Sequence, residues 1–87
     1  MYKVRISDRA ARKLSGLPKE IASDVARKIY WLAANAEEAK HERLKGHRIY
    51  SLHCVQYRVL YVLNRSEETL IIEDIDKHDL AYRKLKR

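Results

Sequence analysis

The sequence predicts an α+β fold, in which an N-terminal helical hairpin packs on an antiparallel four-stranded sheet in the order β-α-α-β-β-β-α. Two patterns predict it. Apolar residues recur at helical spacing in the first half of the chain, and β-prone runs fill most of the second half. A chain of 87 residues has the length of one domain, which we assign to residues 1–87. Its core should be small and its stability modest.

The first half of the chain supplies one strand and two helices. Alternating β-prone residues over 2–7 predict the strand. Ser7 or Asp8 can cap the short helix that follows, and Gly16 is expected to end it in the left-handed C′ conformation. The segment from about Lys19 to Asn35 has the clearest helical period. Because the link between the two helices is short, they should form a hairpin.

The run over residues 48–63 contains neither Gly nor Pro and is longer than the usual strand of about 3–10 residues, so it should fold back on itself. A two-residue turn at Val55-Gln56 would place His53 directly opposite Arg58, on the less apolar face of the hairpin. Val55 is a weak turn residue, because such turns favour Gly or Asn. A slip of one residue would break the pairing of His53 with Arg58.

Three further segments complete the predicted fold. The polar segment 35–47 should hold the end of the long helix and a basic approach to the sheet. Residues 68–76 predict another strand, and the segment from about Lys77 to Arg87 predicts a short helix.

The charge of the chain indicates a polyanionic or acidic partner. Nineteen Lys and Arg residues against twelve Asp and Glu give a formal net charge of +7, and the sequence pI is about 9.7. Such a balance is typical of nucleic-acid-binding proteins, but an acidic protein partner would explain it equally well.

Other functional classes lack support in the sequence. The single Cys54 cannot form an internal disulfide, which favours a reducing, cytoplasmic location. The first residues contain no apolar segment of a signal peptide, and no apolar run has the ~20 residues of a membrane span. We expect no metal and no cofactor, because no two-cysteine spacing exists and His53 and Cys54 should point to opposite faces of a strand.

Arg58 falls between apolar positions of a predicted central strand and needs an explanation, because a buried guanidinium without a partner is costly. One alternative is a structural ion pair with Asp74 or Glu73. The other is a phosphate-binding arginine on the floor of a groove, since the planar guanidinium can donate two parallel hydrogen bonds to a phosphate. The sequence leaves both open.

The segment RLKGHRIYSLHCVQYRVLYVL, residues 43–63, resembles a stretch that RelE-type toxins share. It has a basic Leu-x-Gly approach, a strand, a tight turn, and then a Tyr-Arg pair followed by apolar residues and Tyr. The segment DKHDLAYRKL, residues 76–85, is similar to the C-terminal element of that family. With the element order, the resemblance to the RelE/ParE superfamily covers nearly the whole chain.

The resemblance implies a toxin of a type II toxin–antitoxin system. RelE-like members are ribosome-dependent endoribonucleases that cleave mRNA in the ribosomal A site without a metal and thereby inhibit translation. A cognate RelB-like antitoxin neutralises them, and they reach operator DNA only through the antitoxin complex. ParE-like members share the fold but inhibit DNA gyrase without enzymatic activity, and this is the main alternative. No membrane is involved in either activity.

The resemblance also implies which residues carry the catalysis. Cleavage by the ribose 2′-OH needs a base, an acid for the leaving oxygen and cations for the phosphorus centre. Arg58 matches the family's strand arginine, and His78 and Tyr82 match its C-terminal pair, which would share one helix face. His53 stands where many relatives carry a second strand cation. Alternatively, His78 is an ordinary surface residue and Tyr82 a packing residue.

Several other residues are expected to contact RNA or to lie elsewhere. The expected RNA-binding residues are Arg43, Lys45, Ser51, Lys77 and Arg83. Ser51 departs from the family, because some relatives carry Lys or Arg there, so the chain is either a weaker nuclease or a degenerate toxin. We expect His41 and His47 on the surface. Trp31 either packs in the core or lies in the antitoxin groove.

Overall fold

The computed structural model describes residues 1–44, Gly46 and residues 48–77. It contains two helices and five strands, with the bounds β1 Lys3–Ile6, α1 Asp8–Ser15, α2 Lys19–Ala34, β2 Glu42–Arg43, β3 Tyr50–Cys54, β4 Tyr57–Asn64 and β5 Thr69–Lys77. Lys77 therefore ends a strand. The rest of the predicted C-terminal helix lies outside the described residues.

The strands form one sheet in the order β1-β5-β4-β3-β2. The α+β class and the helical hairpin are confirmed, but the predicted sheet was wrong in two details. Strand β1 runs parallel to β5, so the sheet is mixed, and β2 adds a fifth strand in the described part of the chain. A strand of only two residues is too short to produce a recognisable alternation in sequence.

Helix α1 begins as the sequence predicts and ends differently. The Ala10 amide donates to the Ser7 hydroxyl at 3.0 Å, so Ser7 is the cap. The predicted left-handed conformation of Gly16 was wrong, because its φ is −88° and its ψ is −6°. The Gly16 amide instead bonds to the carbonyls of Arg12 and Lys13, which tightens the last turn of the helix.

Helix α2 supplies one side of the core. Val25, Ile29, Leu32 and Ala33 are buried at the spacing of one helix face. They pack with Ala10 of α1 and with buried residues from the strands, namely Cys54, Val59, Tyr61, Leu70, Ile72 and Ile75. Both helices therefore cover the same face of the sheet.

The predicted β3–β4 hairpin is confirmed residue by residue. Cys54 pairs with Tyr57 and His53 pairs with Arg58, and the register continues to Tyr50 opposite Tyr61. Val55 lies in the turn with φ 57°, a left-handed conformation that a β-branched residue seldom adopts. The apolar alternation of both strands fixes the register even though the turn residue is unfavourable.

An irregularity in β5 changes which of its residues face the helices. Leu60 pairs with Asp74, but the next residue of β4, Tyr61, pairs with Ile72. Glu73 is therefore the extra residue of a β-bulge. Because of it, Ile72 joins the core while Asp74 lies on the face that points away from the helices.

Candidate active site

The face of the sheet opposite the helices carries the candidate site. The hairpin register places Ser51, His53, Arg58 and Leu60 on this face, since directly opposed residues share a side of the sheet. Neighbouring strands extend it, because Glu42 pairs with Ser51, Asp74 with Leu60 and Asp76 with Arg58. We call the surface formed by these seven residues the Arg58 face.

Arg58 lies in the middle strand of this surface and is held on two sides. Its side chain is only 12% exposed, and Nη1 donates to the Ser51 hydroxyl at 3.1 Å. The same nitrogen lies 3.6 Å from Glu42 Oε1. A structural ion pair therefore exists, although with Glu42, whereas the candidate partner Asp74 pairs with Lys13. Since Glu42 is 70% exposed, solvent screens this ion pair and it contributes little to stability.

Ser51 is buried next to Arg58 in the structure. It is 4% exposed and lies under the guanidinium, where its hydroxyl accepts from Arg58. Its direct contact with RNA stays a prediction. The geometry gives it the task of orienting Arg58, because a hydrogen bond to one nitrogen fixes the plane of the guanidinium.

His53 is exposed and lies directly across the hairpin from Arg58. Opposed residues in an antiparallel pair have Cβ atoms roughly 4.5–5.5 Å apart, so both side chains can reach one phosphodiester. Arginine can stabilise negative charge on phosphate oxygens, and histidine can accept or donate a proton near neutral pH. This pair is the part of the predicted catalytic set that the structure brings together.

A second ionic cluster borders the Arg58 face along β5. Lys13 of α1 lies 2.8 Å from Asp74 Oδ1 and 2.9 Å from Asp76 Oδ2, while Arg9 lies 3.9 Å from Asp74. The side chains of both aspartates are about one-tenth exposed. Asp74 Oδ1 also accepts from the Ile75 amide at 2.8 Å, so its carboxylate is fixed in place.

Two of the predicted RNA contacts belong to the other side of the sheet. Arg43 pairs with Tyr50, and its guanidinium carbon lies 5.9 Å from the centroid of the Tyr50 ring. Lys77 pairs with Tyr57. Neither cation shares the face of Arg58. Their contact with RNA stays a prediction, and it would require the RNA backbone to pass around the edge of the sheet.

The remaining predicted site residues are outside the described part of the chain. They are Lys45, His78, Tyr82 and Arg83, and the same is true of His47. Their roles stay predictions from sequence.

His41 is not the surface residue that the sequence indicated. Its Nε2 lies 2.8 Å from the Ala36 carbonyl and its Nδ1 lies 2.6 Å from the Tyr61 hydroxyl. Because a carbonyl only accepts, the neutral ring carries its proton on Nε2, and the Tyr61 hydroxyl donates to Nδ1. Burial raises the pKa of Tyr61 well above its usual range, so this donor remains protonated.

Two further sequence expectations concern Cys54 and Trp31. Cys54 is buried in the core, and burial raises the pKa of its thiol, which makes it a poor nucleophile. Trp31 is 51% exposed, which excludes a core position and leaves the groove alternative. It lines a shallow groove on α2 with Asp24, Arg27 and Lys28.

Among residues 1–44, Gly46 and residues 48–77, no three His, Cys, Asp or Glu side chains are arranged to hold a metal ion. Within the same residues, no helix has both the length and the hydropathy that crossing a membrane requires.

Three charged residues at the site, Asp76, Glu42 and Lys13, were not predicted from sequence. Asp76 could have been found, because it follows from the pairing of β4 with β5 once that register is known. Glu42 gave no signal, since it belongs to a two-residue strand. Lys13 gave none either, because nothing in a helix sequence shows that its side chain reaches a strand 61 residues further along.

No protein-family model matches the sequence, and no curated protein sequence matches it significantly. Solved structures do match. The chain is similar to the RelBE2 toxin–antitoxin complex from Mycobacterium tuberculosis, with 26% identity, 88% of this chain and 98% of the other covered, and a TM-score of 0.74. The isolated RelE toxin of E. coli gives 15% identity, 100% and 98% coverage, and a TM-score of 0.76.

A third similar structure belongs to the other branch of the superfamily. The chromosomal ParDE system from P. aeruginosa has 13% identity, covers 88% of this chain and 96% of the other, and gives a TM-score of 0.73. The fold of this chain thus recurs in a RelE toxin and in a ParDE system. The chain has the fold of the RelE/ParE toxin superfamily.

Proposed function

We propose that the protein is a RelE-like toxin, a ribosome-dependent endoribonuclease that cleaves mRNA in the A site and inhibits translation in the cytoplasm. The observation that supports this most is the pairing of Arg58 with His53 on the face of the sheet away from the helices. A cation beside a proton-transferring side chain suits attack on a phosphodiester. A protein that only binds gyrase needs no such pair.

The cleavage proceeds by attack of the ribose 2′-OH on the adjacent phosphate, with release of the 5′ oxygen. Arg58 stabilises the charge that develops on the phosphate oxygens, and Ser51 holds the guanidinium in orientation. His53, His78 and Tyr82 share the removal of the 2′ proton and the protonation of the leaving oxygen. Arg43, Lys45, Lys77 and Arg83 contribute contacts with the RNA backbone that do not depend on sequence.

The proposed partners follow from charge and from the similar structures. A net charge of +7 suits rRNA and mRNA, because cations that neutralise phosphates release counterions on binding. Several of the matching structures are complexes of RelE with RelB. We therefore propose a cognate RelB-like antitoxin, which would also mediate any contact with operator DNA.

The alternative is a ParE-like inhibitor of DNA gyrase. The similarity to the ParDE system favours it, and so does the presence of Glu42 and Asp76 next to Arg58, because carboxylates reduce the attraction of this face for phosphate. In this alternative the Arg58 cluster has a structural role.

The deciding experiment is primer extension on a translated message. Wild-type protein should give cuts phased with codons that require ribosomes. Arg58→Ala and His78→Ala should each reduce cleavage at least about a hundredfold, the range of one electrostatic or acid–base contribution. Arg27→Ala removes an exposed arginine from the α2 surface and should cleave as wild type does.

A wild-type protein that arrests growth without cutting any message would contradict the proposal. Supercoiling assays with gyrase then test the alternative. Harmless expression of a folded protein would instead indicate a degenerate toxin.

A further inference from the structure

Lys13, in helix α1, forms ion pairs with two carboxylates of the Arg58 face, Asp74 and Asp76. Strand β1 pairs with β5 only as far as Ile72, and α1 lies alongside the part of β5 that follows. The Ser7 hydroxyl donates to the Glu73 carbonyl at 2.7 Å and secures the start of the helix there. From this edge, the Lys13 ammonium extends to Asp74 and Asp76.

The position of Asp76 makes this contact relevant to Arg58. The two residues are directly opposed on β4 and β5, so their Cβ atoms are roughly 4.5–5.5 Å apart on one face. A buried carboxylate at that distance lowers the affinity of the guanidinium for another anion. Lys13 offsets this effect, because its ammonium lies 2.9 Å from the Asp76 carboxylate.

Ion pairs on and around the Arg58 face link three cations, Arg9, Lys13 and Arg58, with three carboxylates, Glu42, Asp74 and Asp76. Loss of Lys13 would leave this set net negative. Arg9 is too exposed to compensate, since 66% of its side chain is accessible to water.

We propose that Lys13 is a positioning residue, which keeps the Arg58 face receptive to a phosphate oxyanion by neutralising Asp74 and Asp76. The inference rests on the proposed role of Arg58 as a phosphate-binding group. Lys13 itself touches neither RNA nor the reacting atoms. It acts through the two aspartates, which would otherwise repel the phosphate and compete for the guanidinium.

The experiment measures binding of inorganic phosphate to the isolated protein, by following the Arg58 Nε–Hε resonance in a ¹⁵N NMR titration at low salt. Lys13→Met should raise the phosphate dissociation constant about fivefold or more, since one nearby charge is lost. Neutralising the carboxylates in the same chain, as Lys13→Met/Asp74→Asn/Asp76→Asn, should restore the wild-type value within about twofold. Asparagine retains an oxygen for the Ile75 amide.

Two controls separate this role from a purely structural one. Lys28→Met removes an exposed lysine from α2 and should change the dissociation constant less than about twofold. Asp74→Asn/Asp76→Asn in the presence of Lys13 should tighten phosphate binding. If Lys13→Met does not fold, the comparison of this double variant with the wild type tests the inference instead.

An unchanged dissociation constant in Lys13→Met, or a failure of the triple variant to recover, would overturn the inference. So would a wild-type Arg58 resonance that does not respond to phosphate. The proposed nuclease activity is tested separately by the ribosome assay. A protein that binds phosphate as described but cuts no message would lose the proposed function and keep the inference.

Discussion

The Arg58 guanidinium contacts two oxygens, one from a buried hydroxyl and one from an exposed carboxylate. Ser51 is buried beneath it, whereas Glu42 is 70% exposed and lies 3.6 Å from Nη1. The two contacts differ in consequence. The hydrogen bond to Ser51 is made to a buried partner, while the ion pair with Glu42 is exposed to solvent and therefore weak.

We predict that Glu42→Gln strengthens anion binding at Arg58. If Arg58 binds phosphate as proposed, the Glu42 carboxylate competes for the same nitrogen, so its removal should lower the phosphate dissociation constant about twofold to fivefold at low salt. The gain should shrink as salt is added, because the Debye length falls to about 8 Å at physiological ionic strength. The same NMR titration measures both effects.

Glu38→Gln is the matched control. Glu38 is an exposed carboxylate like Glu42, but it lies in the segment between α2 and β2. Tighter phosphate binding in both variants alike would show that only the net charge matters. That outcome would remove Glu42 from the site.

From sequence, only the site residues that the alternation of β3 and β4 assigns to one face could be predicted. The apolar alternation of β3 and β4 fixes His53 opposite Arg58, and the structure confirms this pairing. Parity also places Ser51 on the same face. It says nothing of Glu42, whose strand is too short to alternate, or of Lys13, whose contact depends on how α1 packs.

The β3–β4 hairpin keeps its register despite an unfavourable turn. Val55 has φ 57°, and left-handed backbone costs a residue with a Cβ roughly 1–2 kcal/mol. The side chain is 50% exposed, so little packing is lost if it is replaced. The pairing of β3 with β4 therefore determines the position of the turn, and the conformational preference of Val55 does not.

We predict that Val55→Asn stabilises the protein by about 0.5–1 kcal/mol, because Asn tolerates the left-handed region and Val does not. Urea unfolding measures the difference. Gln56→Asn is the control, since Gln56 is the other turn residue and is not among the positive-φ residues of the described chain. Equal stabilisation by both substitutions would contradict the explanation.

At the level of elements, the predictions that were confirmed depend on local periodicity. The bounds of α2 and the turn at Val55-Gln56 were confirmed, because both follow from spacing within one segment. The parallel pairing of β1 with β5 was missed, since it joins residues 66 positions apart along the chain. The bulge at Glu73 was missed for a related reason: only the partner strand reveals the extra residue.

The whole molecule should lose stability at alkaline pH. Burial raises the pKa values of Tyr61 and Cys54 in the folded protein. The folded state therefore retains protons that the unfolded chain releases, so the free energy of unfolding falls as pH rises. The fall should begin near the unfolded Cys pKa of about 8.5 and steepen above the Tyr value of about 10.

Urea unfolding between neutral and alkaline pH tests this expectation. Above about pH 10, the Tyr61 titration should contribute at most about 1.4 kcal/mol per pH unit. Tyr61→Phe should reduce that slope, although it also loses the hydrogen bond to His41 at neutral pH. Tyr30→Phe is the control, because Tyr30 is 56% exposed and its substitution should leave the slope unchanged. A flat profile in the wild type would disprove the assignment.

Strand β5 joins the two ends of the described chain. It pairs with β1, residues 3–6, on one side and with β4 on the other, and it supplies Leu70, Ile72 and Ile75 to the core. During synthesis, the helical hairpin and the β3–β4 hairpin can form locally, but β1 has no strand to pair with until β5 has been made. A message interrupted within the codons for Thr69–Lys77 therefore yields a chain with an open core. Any toxicity that depends on the fold arises only with its last described strand.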